Sequence, residues 1–355
     1  MLSRLQAVRA ALPAGAALLV KSAPNRFYLT GFRSSDGFLL VSRERAEFFT
    51  DSRYIEAARA AVGHLPVSLS TKPMVHIREW LAAEDIGTLH IEANATTVHS
   101  LATLRGALDG VTIAEEDTFD RLIADLRSVK SDTELAAMRQ AQALTDETFA
   151  YITERIAAGR TERDVMLDME MFMRRRGSEG VAFNFIVVSG KNSSLPHGVP
   201  TDKVIERGDF ITMDFGAVVN GYRSDMTRTI AVGQVNDEQR RVYDTVLAAQ
   251  TAALAAIRAG AICKDIDKVA RDLIDGAGYG GCFGHALGHS VGIDVHESPN
   301  FSTRCDTVLK AGTVMTVEPG IYLEGKFGVR IEDMVVVTEN GCNNLTKSPK
   351  ELILV

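Results

Sequence analysis

Cysteine is scarce in this sequence. Its four thiols, Cys263, Cys282, Cys305 and Cys342, show no pair with the spacing of a thiolate metal site or a redox motif. Isolated reduced thiols are expected, and with them a reducing, cytoplasmic setting. Long apolar runs are missing too. The stretch 11–20 follows a helical pattern but contains Pro13 and Gly15, and it falls well short of the roughly 20 residues that a membrane span needs. No signal peptide and no membrane contact are expected. Positive charge is in deficit: 39 Lys and Arg against 46 Asp and Glu give a formal net charge of -7. That balance speaks against nucleic acid as a partner. The short run Arg174-Arg175-Arg176 is expected to be a solvated helix end.

What is present suits a globular enzyme. The 355 residues, 46% of them hydrophobic, suffice for two domains. Strand-like segments at 17–20, 38–41, 47–50 and 89–92 alternate with helical stretches at 51–62 and after Thr96, which predicts an α/β domain over residues 1–127. Near residue 128 the pattern changes. Ser131 and Glu134 form a capping box. Behind it Leu135, Met138, Ala141, Phe149, Ile152 and Ile156 recur at helical spacing. A second helix starts at Thr161, buries Val165, Met169, Phe172 and Met173, and stops at Gly177. A third carries Ile266, Val269, Ala270, Leu273 and Ile274. The second domain is placed at 128–355.

An internal repeat is the most informative feature. Residues 208–216 read Gly-Asp-Phe-Ile-Thr-Met-Asp-Phe-Gly, and residues 312–320 read Gly-Thr-Val-Met-Thr-Val-Glu-Pro-Gly. Each copy is followed by a Gly-x-Arg-x-acid segment, Gly221 to Asp225 and Gly328 to Glu332. Side chains alternate along a strand, so Thr212 and Asp214 share one face while Ile211, Met213 and Phe215 share the other. Thr316 and Glu318 repeat this. Asn220-Gly221 is a two-residue hairpin turn that returns Asp225 beside Asp214. If the copies pack about a pseudo-two-fold axis, Asp214, Asp225, Glu318 and Glu332 converge. Four carboxylates brought together in an apolar setting repel one another and resist ionising; two divalent cations would neutralise them.

Histidines add to this. His285, His289 and His296 lie in the glycine-rich stretch 284–297, and His197 in Leu195-Pro-His-Gly198. Such stretches make poor core strands, and imidazole is a common ligand of first-row metals. His64, His76, His90 and His99 are given no role. Asp214-Phe215-Gly216 spells a kinase triplet, but the catalytic loop that a kinase needs is missing. Gly276 to Gly281 fits a dinucleotide pattern only formally, because it follows a helix.

With these residues in view, the chain resembles the M24 peptidases of the pita-bread fold, of the Xaa-Pro aminopeptidase and Xaa-Pro dipeptidase (prolidase) type. Residues 27–32 and 49–54 look like a creatinase-type N-terminal domain, and Val129-Lys-Ser-Asp-Thr-Glu134 like its junction with the catalytic domain. The resemblance implies a creatinase-like α/β domain followed by a pita-bread domain with an internal pseudo-two-fold repeat. It implies that Asp214 holds one metal, that Asp225 and Glu332 bridge two, and that His289 and Glu318 complete the second. His197, His285 and His296 would line the substrate pocket and support the tetrahedral intermediate, with Arg330 beside the ligand cluster and counted with them among the substrate-binding residues. The expected chemistry is hydrolysis of the bond preceding proline, with Glu318 shuttling a proton and His296 stabilising the oxyanion. One imidazole and four carboxylates favour manganese or cobalt, with zinc still open. An aminopeptidase that releases the N-terminal residue is the first expectation and a dipeptidase the alternative. A non-catalytic pita-bread binding protein is a third, and intact ligands argue against it. Peptides with proline second are the expected substrates, and a homodimer the expected assembly.

Overall fold

The computed structural model describes residues 2–355. The chain divides into two compact units, Met1–Arg127 and Ser128–Val355. In the first, helices α1 (Leu2–Ala11), α2 (Ala23–Thr30), α3 (Ile55–Ala61), α4 (Pro73–Ala83), α5 (Val98–Ala107) and α6 (Thr118–Ser128) alternate with six strands. These are β1 (Ala16–Val20), β2 (Phe38–Ser42), β3 (Ala46–Thr50), β4 (Val67–Leu69), β5 (Thr88–Ile91) and β6 (Thr112–Ala114), in the order β4-β3-β2-β1-β5-β6. β1 runs antiparallel to β2 and parallel to β5, so the sheet is mixed. The strand expected at 17–20 is β1, and a break separates it from α1. α1 stops before Pro13, Gly15 turns the chain with φ +69°, and β1 follows. Proline cannot continue a helix, and glycine adopts positive φ at little cost.

The second unit is built twice over. Its first half holds α7 (Asp132–Thr153), α8 (Glu162–Arg175), β7 (Ile186–Ser189), β8 (Phe210–Phe215), a small hairpin of β9 (Val218–Val219) and β10 (Tyr222–Arg223), and β11 (Met226–Ala231). Its second half holds α9 (Asp237–Ala256), α10 (Cys263–Ile274), β12 (Gly288–Ser290), β13 (Glu297–Phe301), β14 (Val314–Val317), a hairpin of β15 (Gly320–Leu323) and β16 (Phe327–Arg330), then β17 (Asp333–Val337) and β18 (Cys342–Asn344). One sheet has the order β11-β8-β7, the other β13-β12-β14-β17-β18. In each half an inner strand, a hairpin and an antiparallel return follow a helix pair. That is the architectural form of the sequence repeat.

Local chemistry explains these elements. The Ser131–Glu134 capping box is present at the start of α7, and the Thr161 side chain accepts from the Asp164 N–H at the start of α8. Gly177, at φ +106°, ends that region. Leu135, Met138, Ala141, Phe149 and Ile152 are buried along one side of α7. Ile211, Met213 and Phe215 of β8 pack with Met169 and Met173 of α8 into one core, while Met315 and Val317 enter the core beneath α9 and α10. Each fully buried side chain of this kind contributes about 1.5–3 kcal/mol.

Candidate metal centre

The alternation that sends Ile211, Met213 and Phe215 into the core leaves Thr212 and Asp214 on the opposite face, where the Thr212 and Thr229 hydroxyls meet at 3.0 Å. Asp214 pairs across the sheet with Thr227 of β11. Between them, Asn220 and Gly221 both take positive φ, +49° and +80°, as a primed hairpin turn demands. The chain returns through Arg223, and Asp225 immediately precedes β11. In the second half Glu318 follows β14, and Glu332 precedes β17 at the same relative place. The halves are joined here directly. The Glu332 N–H donates to the Thr227 carbonyl at 3.0 Å, and the Thr227 hydroxyl donates to Glu332 Oε2 at 2.7 Å.

His289 comes from β12, and its N–H donates to Thr316 Oγ1 at 3.0 Å. Strand β12 can lie this close because residue 288 is glycine: a Cβ there would stand 2.1 Å from the Thr316 carbonyl oxygen. Asp225, His289 and Glu332 each offer a ligand atom within 4.8 Å of the others. His289 Nε2 lies 3.3 Å from Glu318 Oε1 and 3.6 Å from Asp225 Oδ2. Asp214 Oδ2 accepts from the Arg330 guanidinium at 2.7 Å, and its Oδ1 is buried with no hydrogen-bond partner.

The electrostatics of this cluster are those of a site built for positive charge. Burial, then the charge of Glu332, Asp214 and Glu318, raises the Asp225 carboxyl well above its ordinary range. Burial and the neighbouring carboxylates raise Glu332 as well. Glu318 is pushed up to about 8, chiefly by burial and then by Asp214, with Arg330 and Thr316 opposing. His289 moves down to about 4 through burial and the nearby His296. The short contacts from His289 to the carboxylates are therefore not salt bridges. His289 Nδ1 lies 3.1 Å from the Ser290 carbonyl, which assigns the ring proton to Nδ1 and leaves a lone pair on Nε2 facing carboxylate oxygens. Acceptors facing acceptors, with an orphaned Asp214 oxygen among them, need protons or a cation between them. An oxygen-rich set with one imidazole fits divalent metal ions of the harder kind.

A cavity of about 970 Å³ opens onto this cluster. His197 and His296 are exposed on its wall. The His296 ring stands edge-on to His289, with centroids 4.5 Å apart. His285 and Arg330 also border the cavity, but their polar atoms are largely spent inside the protein. His285 Nδ1 pairs with the Ala286 carbonyl and Nε2 with the Tyr322 hydroxyl, each at 2.8 Å. Arg330, buried, reaches Thr227, Pro196, Tyr322 and Asp214, which occupies four of its five N–H donors. Sequence reasoning missed Tyr322, which joins His285 to Arg330, and Thr227, which joins the two halves. Strand alternation offered a signal for Thr227, two residues beyond Asp225. Nothing local marked Tyr322.

Comparison with known proteins matches the chain to a family. The model described as metallopeptidase family M24 covers residues 136–339, and the creatinase/prolidase N-terminal domain covers residues 3–129. The chain belongs to metallopeptidase family M24. Among the relatives of this M24 chain is a Xaa-Pro dipeptidase of Pyrococcus horikoshii, 38% identical over 95% of this chain and 94% of the other. A solved Xaa-Pro dipeptidase from Bacillus anthracis superposes with a TM-score of 0.96 at 38% identity, covering 100% of this chain and 99% of that one. An X-Pro aminopeptidase from Thermotoga maritima gives 0.90 at 37% identity, over 96% and 97%. The M24 chain is thus a metallo-exopeptidase with a creatinase-like N-terminal domain and a pita-bread catalytic unit. Membership of a metallopeptidase family implies divalent metal ions.

Proposed function

We propose that this M24 peptidase is a Xaa-Pro dipeptidase whose two divalent ions are held by Asp214, Asp225, His289, Glu318 and Glu332. The observation that carries the site assignment is the meeting of Asp225, His289 and Glu332 ligand atoms within 4.8 Å, with Glu318 a further 3.3 Å contact of His289. The preference for a dipeptidase over the aminopeptidase first expected comes from the relatives. Xaa-Pro dipeptidases of two Pyrococcus species are 38% and 39% identical over more than nine-tenths of this chain. A second reading, the aminopeptidase, is favoured by the size of the cavity, about 970 Å³, and by the Thermotoga maritima likeness.

When bound, the cations supply a water nucleophile at neutral pH and polarise the scissile carbonyl. The chain's own residues do the remaining work in this proposal. Glu318 takes the proton of the attacking water and delivers it to the proline nitrogen as that bond breaks. His296 and His197 donate hydrogen bonds to the carbonyl oxygen and the tetrahedral intermediate as charge develops. His285 and Arg330, whose donors are committed to protein atoms, act as supports of the site instead of substrate contacts. The oxygen-rich donor set favours manganese or cobalt. Four free thiols suit a cytoplasmic location. A homodimer belongs to the same proposal and is read by sedimentation.

The test uses metal-stripped protein reloaded separately with Mn²⁺, Co²⁺ or Zn²⁺. Each sample is given Gly-Pro, a tripeptide with proline second, and a Met-Ala-Ser peptide. Preferential cleavage of Gly-Pro is expected. Faster release of the N-terminal residue from the tripeptide establishes the aminopeptidase, and cleavage of Met-Ala-Ser alone ends the proline reading.

A further inference from the structure

The junction motif Val129 to Glu134 is a sequence feature that the metal site does not itself explain. Its lysine is almost entirely buried: the Lys130 side chain is 1% exposed and that of its partner Glu297 6%. An ammonium is costly to bury unless it is paired and hydrogen-bonded. Lys130 Nζ donates to Ser290 Oγ at 2.9 Å and to Glu297 Oε2 at 3.3 Å. Ser290 directly follows His289, and Glu297 directly follows His296. The other oxygen of Glu297 accepts from the Ile293 N–H at 2.9 Å and the Asp294 N–H at 3.1 Å. Residues 290–297 therefore form a loop closed on the Glu297 carboxylate, with His289 just before its first residue and His296 next to its last.

Lys130 is itself held at the backbone. Its N–H donates to the Gly312 carbonyl at 3.0 Å, and Val129 bridges Thr313, on the segment that leads into β14 and Glu318. The same motif supports the other half: Glu134 accepts from the Tyr222 hydroxyl at 2.8 Å, three residues before Asp225. One short segment thus touches the supports of ligand-bearing stretches from both repeats.

We propose that Lys130 is a positioning residue for this peptidase: through Ser290 and Glu297 it fixes the loop that sets His289 and His296 against each other. The inference rests on the roles assigned above to those two histidines. A charged group is needed because the loop's own carboxylate must be neutralised out of water. A rigid anchor is needed because supports of metal-binding histidines set ligand orientation.

Lys130→Met keeps an unbranched side chain and deletes the charge. With Gly-Pro as substrate and Mn²⁺ as metal, kcat is expected to fall on the order of 10–100-fold while KM moves less than about threefold. Calorimetric titration with Mn²⁺ is expected to show a loss of affinity of similar order, and Lys130→Arg to recover most of both. Lys130→Met also takes the Lys130 charge away from Glu297, so the double variant Lys130→Met/Glu297→Gln removes the carboxylate charge as well. If the double variant regains the wild-type Tm but not kcat or Mn²⁺ affinity, the positioning role stands. Return of all three to wild type overturns it, since Lys130 then only balances charge. A Lys130→Met protein with unchanged kcat and Mn²⁺ affinity overturns it as well. Wild-type protein in the same assay separates the two readings: failure to cleave Gly-Pro dismisses the dipeptidase, whereas the Mn²⁺ titration still reads the role of Lys130.

Discussion

Loading the metal-free protein with Mn²⁺ at pH 7 is expected to expel protons. Glu318 titrates near 8 in the metal-free cluster, so about nine-tenths of it is protonated at pH 7 and about one-tenth at pH 9. A carboxylate must be deprotonated to bind a metal. Glu318 alone therefore releases about 0.9 proton per chain at pH 7 and about 0.1 at pH 9. Asp225 and Glu332, raised in the same direction, add to the release. His289, held down to about 4, is already neutral and adds none. Calorimetric titration in buffers of different ionisation enthalpy measures the count directly. The same shift has a sign for stability. Glu318 is raised above its unfolded value of 4.5, so its contribution is complete below that value and is lost as pH rises through about 8. The Tm of metal-free protein should fall across that window, and metal should reverse the fall. No proton release at pH 7, or a metal-free Tm that climbs between pH 5 and 8, would refute the reasoning.

Other perturbations separate chemistry from architecture. His197→Ala should lower kcat on the order of 10²–10³-fold while metal content by mass spectrometry stays unchanged; loss of the metals would make His197 a ligand. Asp333, which accepts from Arg228 and Lys350 at 2.8 Å each, is held below the usual carboxylate range because those cations outweigh its burial. Asp333→Asn leaves Arg228 buried without its counter-charge and should cost roughly 3–5 kcal/mol in urea denaturation. Gly288→Ala should weaken Mn²⁺ binding and lower Tm together, because its Cβ would press on the Thr316 carbonyl and displace His289; unchanged affinity would show that β12 yields freely.

The acids of the proposed metal site were legible in the sequence for a physical reason. Strand alternation is a strict period of two, so an acid that repeats at the end of two apolar strands declares its face, and Asn220-Gly221 declares the return. The capping boxes were equally local. Ser131-x-x-Glu134 was read, whereas Asn236-x-x-Gln239, which caps α9 in the same way, was passed over. What the sequence hid lies in long-range contacts. Lys130 meets Ser290 across 160 positions, and Tyr222 meets Glu134 across 88. No local pattern announces such pairs. His285 was readable as a pocket residue but not as a spent one, since its partner Tyr322 stands 37 positions away. The short edge strands β4 and β6, three residues each, are too brief to show a period.

The order in which the ligands occur along the chain has a consequence for biosynthesis. Asp214 and Asp225 leave the ribosome first, and Glu332 follows Asp225 by 107 positions. Thr227 then has to receive the Glu332 N–H before the two halves are tied. A growing chain that ends short of His289 owns only the pair of aspartates, and one that ends short of Glu332 still lacks the last of the proposed ligands. With the ligand set proposed above, complete cation capture at this centre is a late event in the life of the nascent molecule, and a report that both repeats have met.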